Sequence, residues 1–248
     1  MTSFPIFPDP SDPANPDPDG PRYAIYFMPA PGSPLAELGA DWLARDCASG
    51  ETRPAPSVPG IEAGRLAELT ESARFYGFHA TLKPPFHLKP GHDQDQLAGM
   101  IERLAMGQTA FDVTLGLRSL GGFLALMITP PDYRMDALAD ACVRDLDAFR
   151  ALPNEQELAR RRDANLSAQQ EALLQQWGYP YVMGEFRFHM TLSARLTDDA
   201  ERALLWETLS ARAAPVVAKP VTIDAIALFH QPSRGEPFNL VRRFPFAA

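Results

Sequence analysis

The chain has 248 residues, is 46% hydrophobic and carries a formal net charge of −8 at pH 7. This length allows one large domain or two lobes, and the apolar content is sufficient to build a core. The acidic balance argues against sequence-independent nucleic-acid binding, which normally requires a basic surface, but it leaves room for a small anionic ligand in a local basic pocket.

Cysteine content and the N-terminal sequence indicate the compartment. Cys47 and Cys142 are the only cysteines and have no metal-ligand spacing, which predicts a reducing cytoplasm and no structural zinc. No signal peptide and no apolar run of about 18 residues is present, so we expect no membrane segment. Residues 1–21 are rich in Pro and Asp and are predicted to be a disordered tail, ahead of a single domain at 22–248.

The first half of that domain alternates between extended and helical patterns. Residues 22–27 are typical of a strand, and Ser33 with Pro34 is a typical helix start ahead of apolar residues at helical spacing. The Pro84–Pro85 pair is a candidate end for the second strand. The further predictions are a loop at 49–60, a helix at 61–73, a strand at 77–86, a helix at 93–106 and a hairpin at 111–128.

The order of strand, helix and hairpin returns in the second half. It does so at 186–196, 198–212 and 221–246. His79 and His189 are 110 residues apart, and so are the two hairpin starts near Phe111 and Val221. The common offset indicates an ancient internal duplication.

Between the halves lies a segment without a counterpart in the first half. Apolar residues at helical spacing predict a helix at 135–149. A helical insertion is predicted at about 150–180, where Ser167 and Gln170 form a capping box and Gly178 ends the helix.

The most specific signal is a five-residue motif that occurs twice. Residues 78–82 read Phe-His-Ala-Thr-Leu, and residues 188–192 read Phe-His-Met-Thr-Leu. A lone histidine in an apolar strand is usually structural, but two copies in equivalent places favour a functional pair. Because residues two apart share one face of a strand, His79 and Thr81 are expected on one face and their apolar neighbours in the core. We expect the two His-Thr faces to meet across a cleft.

Two facing imidazoles are suited to proton transfer. With ordinary pKa values near 6.5, one can accept a proton from an attacking hydroxyl while the other protonates the leaving oxygen, as phosphodiester cleavage requires. Threonine hydroxyls beside them can hold phosphate oxygens. The predicted catalytic residues are His79, Thr81, His189 and Thr191, and the lack of a cluster with ligand spacing predicts that no metal is needed.

The paired His-x-Thr-hydrophobic motifs resemble the mark of the two-histidine (2H) phosphoesterase superfamily. More narrowly, "RYAIYF", "YGFHATLKPPF" and "LLQQWGYPYVMGEFRFHMTLSARL" resemble phosphonate-metabolism proteins encoded beside bacterial carbon–phosphorus lyase genes, over nearly everything after residue 21. The superfamily resemblance implies a bilobal α+β fold, in which two pseudo-twofold related lobes line a central cleft with antiparallel sheets and carry helices outside. It also implies hydrolysis of 2',3'-cyclic nucleotides, related ribose cyclic phosphates or RNA ends, with no cofactor.

Four further residues are candidates for substrate binding. Lys83 and Ser193 occupy the next same-face positions after the two threonines, so they extend the phosphate pocket if the strands run that far. Tyr26 and Tyr76 are candidates for stacking on a base or sugar, with core packing as the alternative. Arg195 is a weaker candidate than these. The histidines without the His-x-Thr context, and the Arg run at 160–162, are interpreted as strand-end, loop or solvated residues; these histidines are His87, His92 and His230.

The resulting hypothesis is a cytoplasmic, monomeric, metal-independent cyclic phosphodiesterase. Its predicted substrate is a small cyclic phosphate or nucleotide, because the acidic chain is poorly suited to long RNA. Two alternatives remain open, namely processing of RNA 3' ends and a catalytically silent nucleotide- or phosphate-binding module. The motif alone does not assign which histidine is the acid and which is the base.

Overall fold

The computed structural model describes residues 20–153 and 155–247. The predicted disordered tail at 1–21 therefore lies outside the described residues, apart from Gly20 and Pro21. Gly20 is buried, and the carbonyl oxygen of Pro21 accepts a hydrogen bond from His87 Nδ1 at 3.0 Å. The chain is thus already packed against the fold two residues before the first strand.

Strands and helices alternate along most of the described chain. The strands are β1 (Arg22–Phe27), β2 (Ala80–Phe86), β3 (Phe111–Val113), β4 (Leu115–Leu120), β5 (Phe123–Ile128), β6 (Met190–Thr191), β7 (Val221–Ile223), β8 (Ala225–Gln231) and β9 (Asn239–Pro245). The helices are α1 (Pro34–Leu43), α2 (Ala63–Tyr76), α3 (Gln94–Met106), α4 (Tyr133–Asp145), α5 (Glu155–Arg162), α6 (Ala168–Trp177) and α7 (Asp199–Val217).

Several helices begin at residues whose side chains cap the first turn. The side chains of Ser33, Asp93, Ser167 and Asp198 each accept a hydrogen bond from a backbone N–H of the helix that follows. Capping boxes are formed at the starts of α3 and α6. Within the described part of the chain, no helix is long and apolar enough to span a membrane.

Seven strands form one sheet in the order β4-β5-β6-β2-β1-β8-β9, while β3 and β7 pair separately. The strand pairs are antiparallel, which confirms the α+β class with antiparallel pairing. The predicted division into two lobes with separate sheets is not confirmed, because both motif strands lie side by side in the same sheet, with Ala80 opposite Met190. The sheet also mixes the halves, since β5 pairs with β6 and β1 pairs with β8.

Strand β2 continues through the two prolines, so the suggestion that Pro84–Pro85 ends it early is wrong. The register explains why. Tyr23 lies opposite Phe86 and Ile25 lies opposite Lys83, so two steps along β1 correspond to three along β2. This irregularity lets β2 include residues that lack a backbone N–H donor without breaking the ladder on either side.

The apolar residues of both motifs lie in the main core, as predicted from strand alternation. They are Phe78, Ala80, Leu82, Phe188, Met190 and Leu192. Helix α1 packs against this part of the core. The indole Nε1 of its Trp42 donates a hydrogen bond to the carbonyl oxygen of Leu192 at 2.6 Å. The core therefore fixes the backbone of the second motif directly.

The packing of α1 on the first motif gives a test of the fold. Gly39 lies against Phe78, and a Cβ at this position would come 2.0 Å from the phenyl ring. We expect Gly39→Ala to lower the free energy of unfolding by about 1–3 kcal/mol, because the ring must move in a packed core. The control is Gly64→Ala in α2, where a Cβ meets nothing within 4 Å and should stabilise the helix by about 0.5–1 kcal/mol. Equal effects of the two changes in urea denaturation would contradict this packing.

Candidate active site

Both motif histidines are anchored in the same way. His79 Nδ1 lies 2.9 Å from the carbonyl oxygen of Gly77, and His189 Nδ1 lies 2.7 Å from that of Arg187. A carbonyl oxygen only accepts hydrogen bonds, so each Nδ1 carries the proton and donates it. In the neutral ring this leaves Nε2 as the unprotonated nitrogen of each imidazole.

His79 is buried beneath neighbouring side chains. Its side chain stacks on Tyr26, with ring centroids 3.6 Å apart, and the residue is only 2% exposed. Nε2 lies 3.1 Å from Thr81 Oγ1, so the threonine hydroxyl donates to it. This contact confirms that His79 and Thr81 share one face. Burial, reinforced by the charge of His189 and opposed by the Gly77 carbonyl, lowers the pKa of His79 to about 3.

His189 is more accessible, being only partly buried. Its ring lies 5.7 Å from that of Phe123. Burial also lowers the pKa of His189 from its ordinary value, opposed by the hydrogen bond to the Arg187 carbonyl. Both imidazoles are therefore neutral at pH 7. Desolvation thus disfavours the cation at both positions.

A cavity of about 80 Å³, called here the histidine cavity, is lined by four of the predicted site residues, namely Tyr26, Tyr76, Thr81 and His189. His79 is not part of its wall and reaches it through Thr81. Thr191 is also set back from the wall, and its Oγ1 is buried without a hydrogen-bond partner among the described residues. The two motifs therefore contribute unequally to the cavity, the first through its threonine and the second through its histidine.

Lys83 and Ser193 have structural contacts outside the histidine cavity. The Lys83 ammonium donates to the carbonyl of Val143 at 3.1 Å and pairs with Asp147 at 3.2 Å, and burial lowers its pKa to about 8. Ser193 Oγ accepts from the N–H of Leu124 at 3.0 Å. The β2 irregularity and the turn after β6 break the simple alternation on which both predictions relied.

The histidine cavity also contains residues that the sequence reasoning did not select. Arg161, from the run interpreted as a solvated helix face, lies 4.7 Å from the ring of Tyr179, and its side chain is 12% exposed. Arg187 and Tyr181 complete this polar and aromatic part of the wall. Arg187 had a signal in the sequence, since it lies two residues before His189 in an extended segment. Arg161 had none, because its position depends on how α5 packs.

A larger cavity of about 580 Å³ lies next to the histidine cavity and shares the residues Tyr76, Pro84, Pro85 and Val182 with it. We call it the arginine cavity. It is lined by Arg22, Lys83, Arg150, Arg160 and Arg234, together with other residues. Parts of the predicted insertion enter both walls, through Arg150 and Trp177 here and through Arg161 in the histidine cavity.

Over residues 20–153 and 155–247, no group of three or more His, Cys, Asp and Glu side chains is placed to hold a metal ion. Both cysteines are buried and unpaired by disulfide.

Comparison with known sequences identifies the family. The profile of the family described as "protein of unknown function (DUF1045)" matches residues 81–239. The chain belongs to this family. The match begins at Thr81 and includes the whole second motif, so it covers three of the four residues predicted to be catalytic.

Two curated bacterial relatives carry the same name, ribose 1,5-bisphosphate phosphokinase PhnN. The protein from Janthinobacterium sp. (strain Marseille) is 42% identical over 230 residues, which is 91% of this chain and 51% of the relative. The protein from Laribacter hongkongensis (strain HLHK9) is 33% identical over 221 residues, 89% of this chain and 51% of the relative. The DUF1045 chain thus spans about half the length of these relatives.

These names correct the function predicted from the sequence. They describe a kinase and not a cyclic phosphodiesterase, so the predicted hydrolysis of a cyclic phosphate is wrong, and neither the RNA-end activity nor the silent binding module matches them. The names support the narrower resemblance to phosphonate-metabolism proteins. The wider resemblance to the two-histidine superfamily is not confirmed.

One solved structure aligns over most of the chain. It is a conserved protein of unknown function from Agrobacterium tumefaciens strain C58, 14% identical, covering 91% of this chain and 86% of its own length. The TM-score is 0.42, and a likeness at this level carries no argument about fold or function.

The low pKa of His79 predicts how stability depends on pH. Its folded-state pKa of about 3 lies below the ordinary value of 6.5, so between these pH values the unfolded chain binds a proton that the folded chain does not. Above about pH 6.5 the titration of His79 therefore leaves the free energy of unfolding unchanged. Between about pH 6.5 and 3 it lowers that free energy by about 1.4 kcal/mol for each pH unit of acidification. We expect the free energy of unfolding of His79→Phe to depend less steeply on pH between 6 and 4 than that of the wild type. Parallel curves for the two proteins in urea titrations would refute the assignment.

Proposed function

We propose that this chain acts on a phosphorylated ribose in phosphonate metabolism and assists phosphoryl transfer to one of its hydroxyl groups. The substrate class comes from the names of the two relatives, which the chain matches over about half their length. The observation that carries the proposal is the neutral imidazole of His189 in the wall of the histidine cavity. Its Nδ1 is held by the Arg187 carbonyl, so its Nε2 is the proton acceptor.

In the proposed step, His189 is the general base. A ribose hydroxyl gives its proton to Nε2 while its oxygen forms a bond to the terminal phosphorus of a nucleoside triphosphate. The bond from that phosphorus to the bridging oxygen breaks, and the nucleoside diphosphate leaves with the electron pair. The proton on Nε2 then passes to solvent. A base whose pKa is lowered by burial is already unprotonated at neutral pH, which suits this role and not that of an acid.

His79 serves as a positioning residue in this proposal. It accepts the hydrogen of Thr81 Oγ1, so the lone pairs of that hydroxyl remain available to the cavity. The stacked Tyr26 and the Gly77 carbonyl fix the imidazole plane. Thr81 is thereby held in one rotamer and can accept a hydrogen bond from a sugar hydroxyl.

Arg161 and Arg187 supply positive charge in the same cavity. Both line its wall together with Glu185, so arginines outnumber carboxylates there. Arg161 is held by Glu157 at 3.1 Å and by the face of Tyr179. Guanidinium groups stabilise the charge on phosphate oxygens during phosphoryl transfer.

The site of the phosphoryl donor is a separate question. A nucleotide-binding P-loop requires the pattern G-x-x-x-x-G-K-[S/T], and none of the three lysines of the sequence follows a glycine. We propose that this chain holds the phosphates of the donor with arginine side chains.

We also propose that the two halves are related by an approximate twofold axis. Two antiparallel pairs support this, because Ala80 lies opposite Met190 and Asp112 lies opposite Thr222. Each pair joins residues 110 apart, the same spacing that separates the two motif histidines. In a duplicated chain, residues next to a twofold axis lie opposite their own counterparts. In this arrangement one domain spans 22–248, with 150–180 as the insertion.

The proposal is tested with the purified chain, ribose 1,5-bisphosphate and MgATP, followed by ³¹P NMR. We expect a new phosphate ester to form as ADP accumulates, and His189→Ala to lower kcat by about 10²- to 10⁴-fold through loss of the base. The matched control is His230→Ala, which removes an imidazole that lines neither cavity. Ribose 1,5-bisphosphate binding without ADP formation would overturn the transfer step, and no binding would overturn the substrate class.

The pH profile separates a single base from an acid–base pair. If His189 must only be neutral, kcat/KM should fall below the lowered pKa of His189 and remain level from about pH 7 to 8. Rates are measured with the same ³¹P assay from pH 5 to 8.5. A bell-shaped profile in that range would contradict the single-base proposal.

A further inference from the structure

The arginine cavity concentrates positive charge in an acidic protein. Of the described residues that line it, five are cationic and two, Asp93 and Glu157, are acidic. The chain as a whole has a net charge of −8. A local excess of cations in such a chain is unfavourable unless nearby anions offset it.

Arg150 is the most buried arginine of this wall, with a side chain only 8% exposed. Its Nε and Nη2 donate to the Asp147 carboxylate at 2.7 and 3.1 Å, and Nη2 also reaches the carbonyl of Gln176 at 3.2 Å. Nη1 is buried and has no hydrogen-bond partner among the described residues. The side chain is therefore rigidly held with one donor unused.

Gly178 packs closely against this donor. A Cβ on Gly178 would lie 2.8 Å from Arg150 Nη1, and Gly178 itself lines the cavity at the end of α6. The charge of Asp147 does not cancel the local positive charge, because this single carboxylate pairs with both Lys83 and Arg150. Lys83, Arg150 and Asp147 together therefore carry one net positive charge.

Two more arginines approach from the β-sheet side. Arg234, in the connection between β8 and β9, has a buried Nη1 without a hydrogen-bond partner in the described structure. Arg22 donates from Nε to the neutral side-chain oxygen of Gln231 at 2.6 Å, which leaves its charge unneutralised by that contact. Arginine side chains thus line one cavity from separate elements of the fold.

We propose that the arginine cavity binds the phosphoryl group of a small organic phosphate, with Arg150 and Arg234 as its principal ligands. Guanidinium forks match the oxygens of a phosphoryl group, and the cations of this wall outnumber its carboxylates. The volume of about 580 Å³ exceeds what an inorganic phosphate fills, and Tyr23, Phe86 and Trp177 supply apolar wall for the organic part. This inference rests on the arginine cavity alone and does not depend on the catalytic role of His189.

Titration calorimetry tests the site with four probes, namely inorganic phosphate, ribose 5-phosphate, ATP and unphosphorylated ribose. We expect ribose 5-phosphate or ATP to bind more tightly than inorganic phosphate, and ribose not to bind. If ribose 5-phosphate binds more tightly than ATP, the site takes a sugar phosphate, and if ATP binds more tightly, it takes a nucleotide. Binding should weaken as salt is raised, because the interaction is between charges.

Three variants identify the ligands. Arg234→Ala and Arg150→Lys should each weaken binding by about 10- to 100-fold, and the lysine keeps a cation for Asp147 so that the fold is preserved. The matched control is Arg242→Ala in β9, which lines neither cavity and pairs with Glu102 instead. Wild-type affinity in both cavity variants, or no binding of any phosphate by the wild type, would overturn the proposal. Binding is measured here without turnover, so failure of the catalytic proposal is distinguishable from failure of this one.

Discussion

The structure of this protein depends on one antiparallel contact, the pairing of Ala80 with Met190. These residues lie in the middle of the two motifs, so their pairing brings two segments 110 residues apart side by side in one sheet. Because alternate residues of a strand share a face, the contact also decides that the apolar residues of both motifs enter the same core. Their histidines and threonines are then left on the opposite face, where the histidine cavity lies.

The same backbone contact to each imidazole sets its tautomer, but the surroundings make the two histidines different. Each Nδ1 donates to the carbonyl two residues earlier, so a local feature of the chain places the proton in both rings. Tyr26 covers His79, whereas His189 lies in the cavity wall. The two motifs therefore hold their histidines in the same way, and unequal packing gives the two rings different surroundings. In the proposal above, one is the base and the other positions a hydroxyl.

The predicted insertion at 150–180 connects the two cavities. It supplies Arg161 to one wall and Arg150 and Trp177 to the other, and the two cavities share residues at their boundary. A phosphorylated ligand in the arginine cavity would therefore lie next to the histidine cavity. The DUF1045 match ends at residue 239 and includes this whole segment.

The sequence by itself determined the α+β class, most helix and strand positions, the repeated motif and the shared face of His79 and Thr81. These follow from local rules, since side-chain periodicity, caps and turns are encoded within a few residues of each other. Tertiary structure decided the rest. It placed Lys83 against Asp147 and Ser193 against the backbone of Leu124. It also placed Arg161, which the sequence predicted to be solvent-exposed, in the wall of the histidine cavity. It also lowered the pKa of both histidines, because burial is a property of how distant segments pack and leaves no mark in the motif itself.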